Sequence, residues 1–217
     1  MLPSPFLPEV AYEPWVAALR ADGLDAVLAP VPRPPDASTL VEVWARLTQP
    51  GAVLLPHSNA GYLAPVVSGA CGGAPIVFVD AALPEPGPVT RLAPARFRDF
   101  LDGLADDEGL LPPWTRWWPR PDYADSLPGD WFERIDAEAP QAPMSYVDAE
   151  VTLPPAWEGG SRAYLAFGET YAAELDRAEG AGWPTRRLEG GHLHWLVRPE
   201  EAAAAAAELI EAAGVST

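Results

Sequence analysis

Leu54-Leu55-Pro56-His57-Ser58-Asn59-Ala60-Gly61 is the stretch on which the fold turns. An apolar run ends at a serine, and a helical pattern begins at the next residue. A serine on a sharp strand-to-helix turn is exposed at the carboxyl end of a sheet. The N–H of its successor, Asn59, then sits at a helix N-terminus, where it can stabilise an oxyanion. Such a turn admits little bulk two residues either side of the serine. Those positions hold Pro56 and Ala60. Ala60 is small, whereas Pro56 fixes its own φ and stiffens the approach. The blander alternative is a small polar residue capping a helix after a buried strand.

The pattern extends outward in both directions. Upstream, residues 15–20 have helical apolar spacing and Gly23 is a plausible stop. Residues 25–30 read as a short buried strand, 38–47 as a helix capped by Ser38 or Thr39, and 51–56 as the strand that feeds Ser58. Downstream, 59–70 read as a helix interrupted by Pro65, and 75–80 as an apolar strand ending in Asp80. Continuous apolar strands separated by helices predict an α/β architecture, with a mostly parallel sheet covered on both faces. The rhythm breaks after Leu83. Residues 84–160 are rich in Pro and Trp and too long for a plain loop. They hold five of the nine tryptophans, Trp114, Trp117, Trp118, Trp131 and Trp157. A mostly helical insertion over the sheet edge is expected there. The rhythm resumes with a strand at 162–167, a helix at 171–179, an edge strand at 184–188 and an alanine-rich helix at 199–213, with Pro199 near its first turn. The division is therefore a core of 1–83 and 161–217 with a cap of 84–160.

Composition narrows the partners. The 217 residues are 48% hydrophobic and 21% charged, which suits one folded domain and excludes wholesale disorder. Fourteen basic residues, all Arg, face 31 acidic ones, for a formal charge of -17. That charge disfavours nucleic acid and anionic membranes. A single cysteine, Cys71, excludes an intrachain disulfide framework, and three histidines are a poor inventory for a metal site. No apolar run reaches bilayer length, and residues 1–5 lack a basic leader. The expectation is a soluble cytoplasmic protein without cofactor or metal. Its partner would be a small apolar molecule, and a homodimer remains open.

A second signal lies 134 residues beyond Ser58, in Glu189-Gly190-Gly191-His192-Leu193-His194-Trp195-Leu196-Val197-Arg198-Pro199. A glycine pair, a histidine and a Pro-initiated helix place an imidazole on a loop after the last strand. A general base must sit there to reach Ser58. The order serine, acid-bearing strand, histidine matches one of the orders in which hydrolytic triads occur.

With these segments in view, the chain resembles the α/β-hydrolase superfamily over nearly its whole length. The Ser58 turn, the Val77-Phe78-Val79-Asp80-Ala81-Ala82-Leu83-Pro84 strand exit, the inserted cap and the segment from Gly191-His192 to Pro199 carry the resemblance. It implies that His192, directly after a glycine and seven residues before the proline, is the general base, and that His194 is a pocket or packing residue. It leaves two places for the acid. One is Asp80, leaving the strand that follows the nucleophile helix. The other is Glu169, after the strand before the His loop, with Glu174 and Asp176 behind it. The superfamily usually places a His-Gly pair after its first core strand. Here that region reads Pro3-Ser4-Pro5-Phe6-Leu7-Pro8, and Phe6 is the expected second oxyanion donor beside Asn59. The first strands of the fold are trimmed. Leu7, His57, His194, Trp114, Trp117 and Trp118 are expected to line the substrate pocket. The implied activity is that of a serine hydrolase on a small apolar ester or thioester. The alternative is a non-hydrolytic member, a lyase, cyclase or ligand binder, in which Pro56 and the missing His-Gly pair have removed hydrolytic power.

Overall fold

The structure, a computed structural model, describes residues 1–119 and 127–214. Residues 120–126, within the expected cap, lie outside the described residues. After a single 3-10 turn at Glu9–Tyr12, helix α1 spans Glu13–Ala21 and α2 spans Ala37–Leu47. Asp36 caps α2 by accepting the Thr39 N–H at 2.9 Å. The cap is thus two residues before Ser38 and three before Thr39, and Ser38 Oγ donates to the same carboxylate. Strand β1 is only His57–Ser58. It is followed by a 3-10 turn at Asn59–Tyr62 and by α3, Ala64–Ala70. Pro65 therefore starts α3 instead of breaking it, because a first-turn residue has no intrahelical N–H bond to lose. Then come β2 (Ile76–Ala81), β3 (Val89–Arg91), α4 (Ala95–Asp102), α5 (Trp131–Glu138), α6 (Met144–Val147), β4 (Glu150–Thr152), β5 (Arg162–Phe167), α7 (Ala172–Gly180), β6 (Thr185–Leu188) and α8 (Pro199–Ala212).

The main sheet has the order β1-β2-β5-β6, all parallel. Its β1 side is longer in hydrogen bonds than in regular strand. Leu54 O accepts the Val77 N–H and Pro56 O accepts the Val79 N–H, both at 2.9 Å. On the other flank, His57 N–H donates to Leu2 O at 3.0 Å and Ala29 N–H to Met1 O at 3.0 Å. The expected strand at 51–56 thus persists as isolated bridges at Leu54 and Pro56, whereas 25–30 is not a strand but irregular chain tied to the N-terminus through Ala29. Prolines at 3, 30 and 56 supply no N–H, so the ladders there cannot run continuously.

The alternation of side chains along β2 and β5 explains the two helical layers. Ile76, Phe78, Tyr164 and Ala166 face one core, with Leu40 and Trp44 of α2, Val67 of α3 and Leu175 of α7. Val77, Val79, Ala163, Leu165 and Phe167 face the other, with Trp15 and Leu19 of α1 and the alanines of α8. Residues 84–160 contribute a two-stranded antiparallel ribbon, β3 and β4, and the helices α4, α5 and α6. Trp157 belongs to neither ribbon nor cavity. It packs edge-on to Phe78 and Trp183 in the core of the sheet. No helix among the described residues is long and apolar enough to cross a membrane.

Candidate active site

Ser58 ends β1 in a conformation that a side chain rarely adopts, with φ 57° and ψ -129°. The turn holds it there through close packing. Ser58 O accepts the Ala82 N–H at 3.0 Å, and a Cβ on Gly61 would lie 2.0 Å from Ala82 O. The glycine this turn requires is therefore the third residue after the serine. That backbone contact, not the space two residues away, is what excludes a side chain. Asp80, near the end of the neighbouring strand, also has positive φ, 39°. Tyr164 clamps the next residue, donating to Ala81 O at 2.6 Å and accepting the Ala81 N–H at 3.1 Å.

Asp80 is fully buried. Its Oδ1 accepts the Phe167 N–H at 2.9 Å, and its Oδ2 accepts the His192 Nδ1–H at 2.6 Å. A buried carboxylate needs such donors. With its proton on Nδ1, the His192 imidazole keeps the Nε2 lone pair for chemistry. Ser58 and His192 both line one cavity of about 650 Å³. Ser58 Oγ is 3.4 Å from Tyr171 Oη, the hydrogen-bond partner it has among the described residues. Burial, above all, pushes the Tyr171 phenol up from its ordinary value, so it stays neutral and able to donate.

The other expected residues divide. Phe6, Asn59, Trp114, Trp117 and Trp118 line the cavity. Phe6 N–H donates to Ser4 Oγ over a long 3.4 Å, while the Asn59 side chain is held elsewhere, donating to Leu92 O and accepting from Tyr146 Oη, both at 2.7 Å. Glu169 is apart from His192. Its carboxylate is exposed and pairs with Arg187. Asp176 is exposed on α7, whereas Glu174, one turn past Tyr171, faces the cavity. Leu7 does not line the cavity. It is buried with Tyr12 and Trp15 on the α1 face, because the turn after Pro5 directs it inward. His194 is also outside the cavity. It is buried against Phe167 and reaches Glu201 at 3.2 Å, and its ring abuts Gly190 so closely that a Cβ there would meet Nδ1 at 2.1 Å.

His57 stands behind the cavity instead of in it. It is fully buried, and its ring lies 4.4 Å from that of His192. The carbonyl of His192 can only accept, so His57 Nε2–H donates to it at 3.3 Å. The Tyr12 O–H then donates to Nδ1 at 2.8 Å, and Tyr12 in turn accepts the Ser4 N–H at 2.8 Å. This chain ties the Ser4–Phe6 loop to the His192 loop. Burial first, and then the neighbouring His192, hold the His57 pKa well below its ordinary value. The unfolded chain therefore binds one more proton than the folded one once pH falls below about 6.5. Stability should decline there by up to about 1.4 kcal/mol per pH unit from this group. Urea unfolding at pH 7.5 and 5.5 should show a smaller loss in His57→Gln than in the wild type; equal losses would refute the assignment.

Tyr62, Pro94, Phe97, Leu127, Thr170, Tyr171 and Glu174 complete most of the lining, and none of them was expected as pocket wall. The signal for Tyr171 was its place at the start of the helix after β5, whose loop opens at the same sheet end as Ser58.

No protein-family model and no curated protein sequence matches the chain. Solved structures do. An extracellular alpha/beta-hydrolase from a Paenibacillus species, described as sharing structural and functional homology with tobacco salicylic acid binding protein 2, superposes with a TM-score of 0.73 at 16% identity, covering 97% of each chain. The chain has the α/β-hydrolase fold. A pyrethroid hydrolase from Sphingobium faniae gives 0.67 at 16% identity over 97% of this chain and 95% of that one. Polyneuridine aldehyde esterase, as an H244A mutant, gives 0.65 at 15% over 95% and 94%. An α/β-hydrolase fold accounts for the parallel order β1-β2-β5-β6 and for the place of Ser58 between β1 and a helix. Identity this low speaks to the fold alone, and chemistry must be argued from side chains.

Proposed function

We propose that the protein is a serine hydrolase acting on a small ester or thioester. The observation that carries this reading is His192, held 2.6 Å from the buried Asp80 and lining the same cavity as the strained Ser58. Ser58 Oγ attacks the acyl carbon while His192 Nε2 takes its proton. The tetrahedral oxyanion is stabilised by the N–H of Asn59, one of the donors a helical start leaves unpaired, and by the N–H of Phe6, whose long bond to Ser4 Oγ is easily given up. His192 then returns the proton to the leaving oxygen or sulfur, and water repeats the sequence on the acyl-enzyme. Asp80 holds the imidazole in the tautomer this requires. A rotation of Ser58 χ1, exchanging Tyr171 for His192, precedes attack.

Two observations favour the second reading, a lyase, cyclase or ligand binder on this fold. Ser58 is bonded to a phenol and not to the imidazole, and the loop of the second oxyanion donor is proline-rich. A fluorophosphonate distinguishes the two. Covalent labelling of the wild type, mapped to Ser58 by peptide mass spectrometry and accompanied by turnover of p-nitrophenyl butyrate, supports the hydrolase. An unlabelled wild type with a folded, ligand-accessible cavity supports the second reading.

A further inference from the structure

Glu174 lies in the first turn of α7 and is half-buried in the cavity wall beside Tyr62 and Tyr171. Burial raises its carboxyl above the ordinary range; the Arg177 charge one turn on opposes that, and Asp80 and Glu85 add to it. Arg177, one turn further on, is directed elsewhere, donating to Leu83 O and Pro84 O and lying 3.7 Å from Glu158. Among the described lining residues there is no arginine, and the chain has no lysine. Much of the remaining wall is aromatic, from Phe6, Phe97, Trp114, Trp117, Trp118 and Tyr171.

Three kinds of ligand meet this wall differently. An anion faces Glu174 inside a chain of formal charge -17. A neutral apolar ligand covers Glu174 and strips its water without replacing it, which costs free energy. A cation with an apolar body neutralises the carboxylate and is also attracted to the ring faces. We propose that Glu174 and the aromatic wall form an ammonium subsite, so that the preferred substrate is a small ester bearing a protonated or quaternary amine. The word ester rests on the hydrolase reading; the ammonium subsite does not.

The test uses the Ser58→Ala protein, which lacks the proposed nucleophile, titrated with choline and with its neutral carbon isostere 3,3-dimethylbutan-1-ol, followed by tryptophan fluorescence. Choline is expected to bind about tenfold more tightly, and adding Glu174→Gln is expected to cut that preference to about threefold, the share left to the rings. Equal affinity for the two compounds, or a preference that Glu174→Gln leaves intact, overturns the subsite. If the double variant does not fold, the comparison of the two ligands in Ser58→Ala still decides the matter. A protein that selects choline but never reacts with a fluorophosphonate keeps the subsite and loses the hydrolase. One that reacts but does not select choline does the reverse.

Discussion

Ser58→Ala and His192→Ala are each expected to lower kcat for p-nitrophenyl butyrate by roughly 10⁵-fold, and the double variant by no more than either alone. In the proposed mechanism the two side chains perform one act. Without the hydroxyl there is no nucleophile for the imidazole to deprotonate. Without the imidazole, a hydroxyl of ordinary acidity, bonded to the neutral Tyr171 phenol, has nothing to take its proton. What survives in either variant is the contribution of the oxyanion donors and of binding, which neither substitution touches. Steady-state kinetics of the three variants, with circular dichroism to verify folding, provide the measurement. Losses that multiply would mean that the two residues act independently. A Ser58→Ala protein that retains turnover would mean that the nucleophile lies elsewhere.

The second large effect belongs to Asp80→Asn, expected to cost about 10⁴-fold in kcat, while Glu169→Gln leaves it within about twofold. The backbone tolerates asparagine well at the positive φ of residue 80, so the substitution tests hydrogen bonding and not strain. Asp80 accepts two N–H groups at once, from Phe167 and from His192 Nδ1. An amide has one oxygen. If that oxygen stays with Phe167, the amide NH₂ faces His192 and drives the ring proton to Nε2, the nitrogen that must be free to act as base. If the amide turns over, two N–H groups collide at Phe167. Either arrangement disarms the imidazole. Glu169, exposed and paired with Arg187, has no such role to lose. A large loss with Glu169→Gln and a small one with Asp80→Asn would transfer the acid to the other loop.

The sheet is legible in the sequence because its strands are short apolar runs buried on both faces, a pattern that surface loops do not imitate. Ile76–Ala81 and Arg162–Phe167 illustrate this. The β1 flank is less legible. Prolines at 3, 30 and 56 break the ladder that the apolar pattern calls for, and composition alone does not say that isolated bridges take its place. In the candidate site, an acid ending an apolar strand and a histidine after paired glycines stand out, since each is costly to bury without a partner. The inward turn of Leu7 and the retreat of His57 and His194 behind the cavity do not stand out. They depend on which way a loop rotates by one residue, and that is decided by the packing of Tyr12 and Trp15 against Trp195, 180 residues after Trp15 in the chain. Glu174 and Tyr171 share that fate, since a helix N-terminus facing a cavity looks in sequence like any other.

The left-handed backbone at Ser58 sets durability against turnover. Only glycine occupies φ 57°, ψ -129° without steric penalty, and that penalty is of order 1–3 kcal/mol, more than the roughly 0.5–1 kcal/mol that glycine's extra freedom costs when the chain folds. Ser58→Gly is therefore expected to withstand heat better than the native protein while converting no substrate. A library sorted by melting temperature alone would enrich the inert form, and natural lineages that kept a serine at this position would have done so at the expense of robustness.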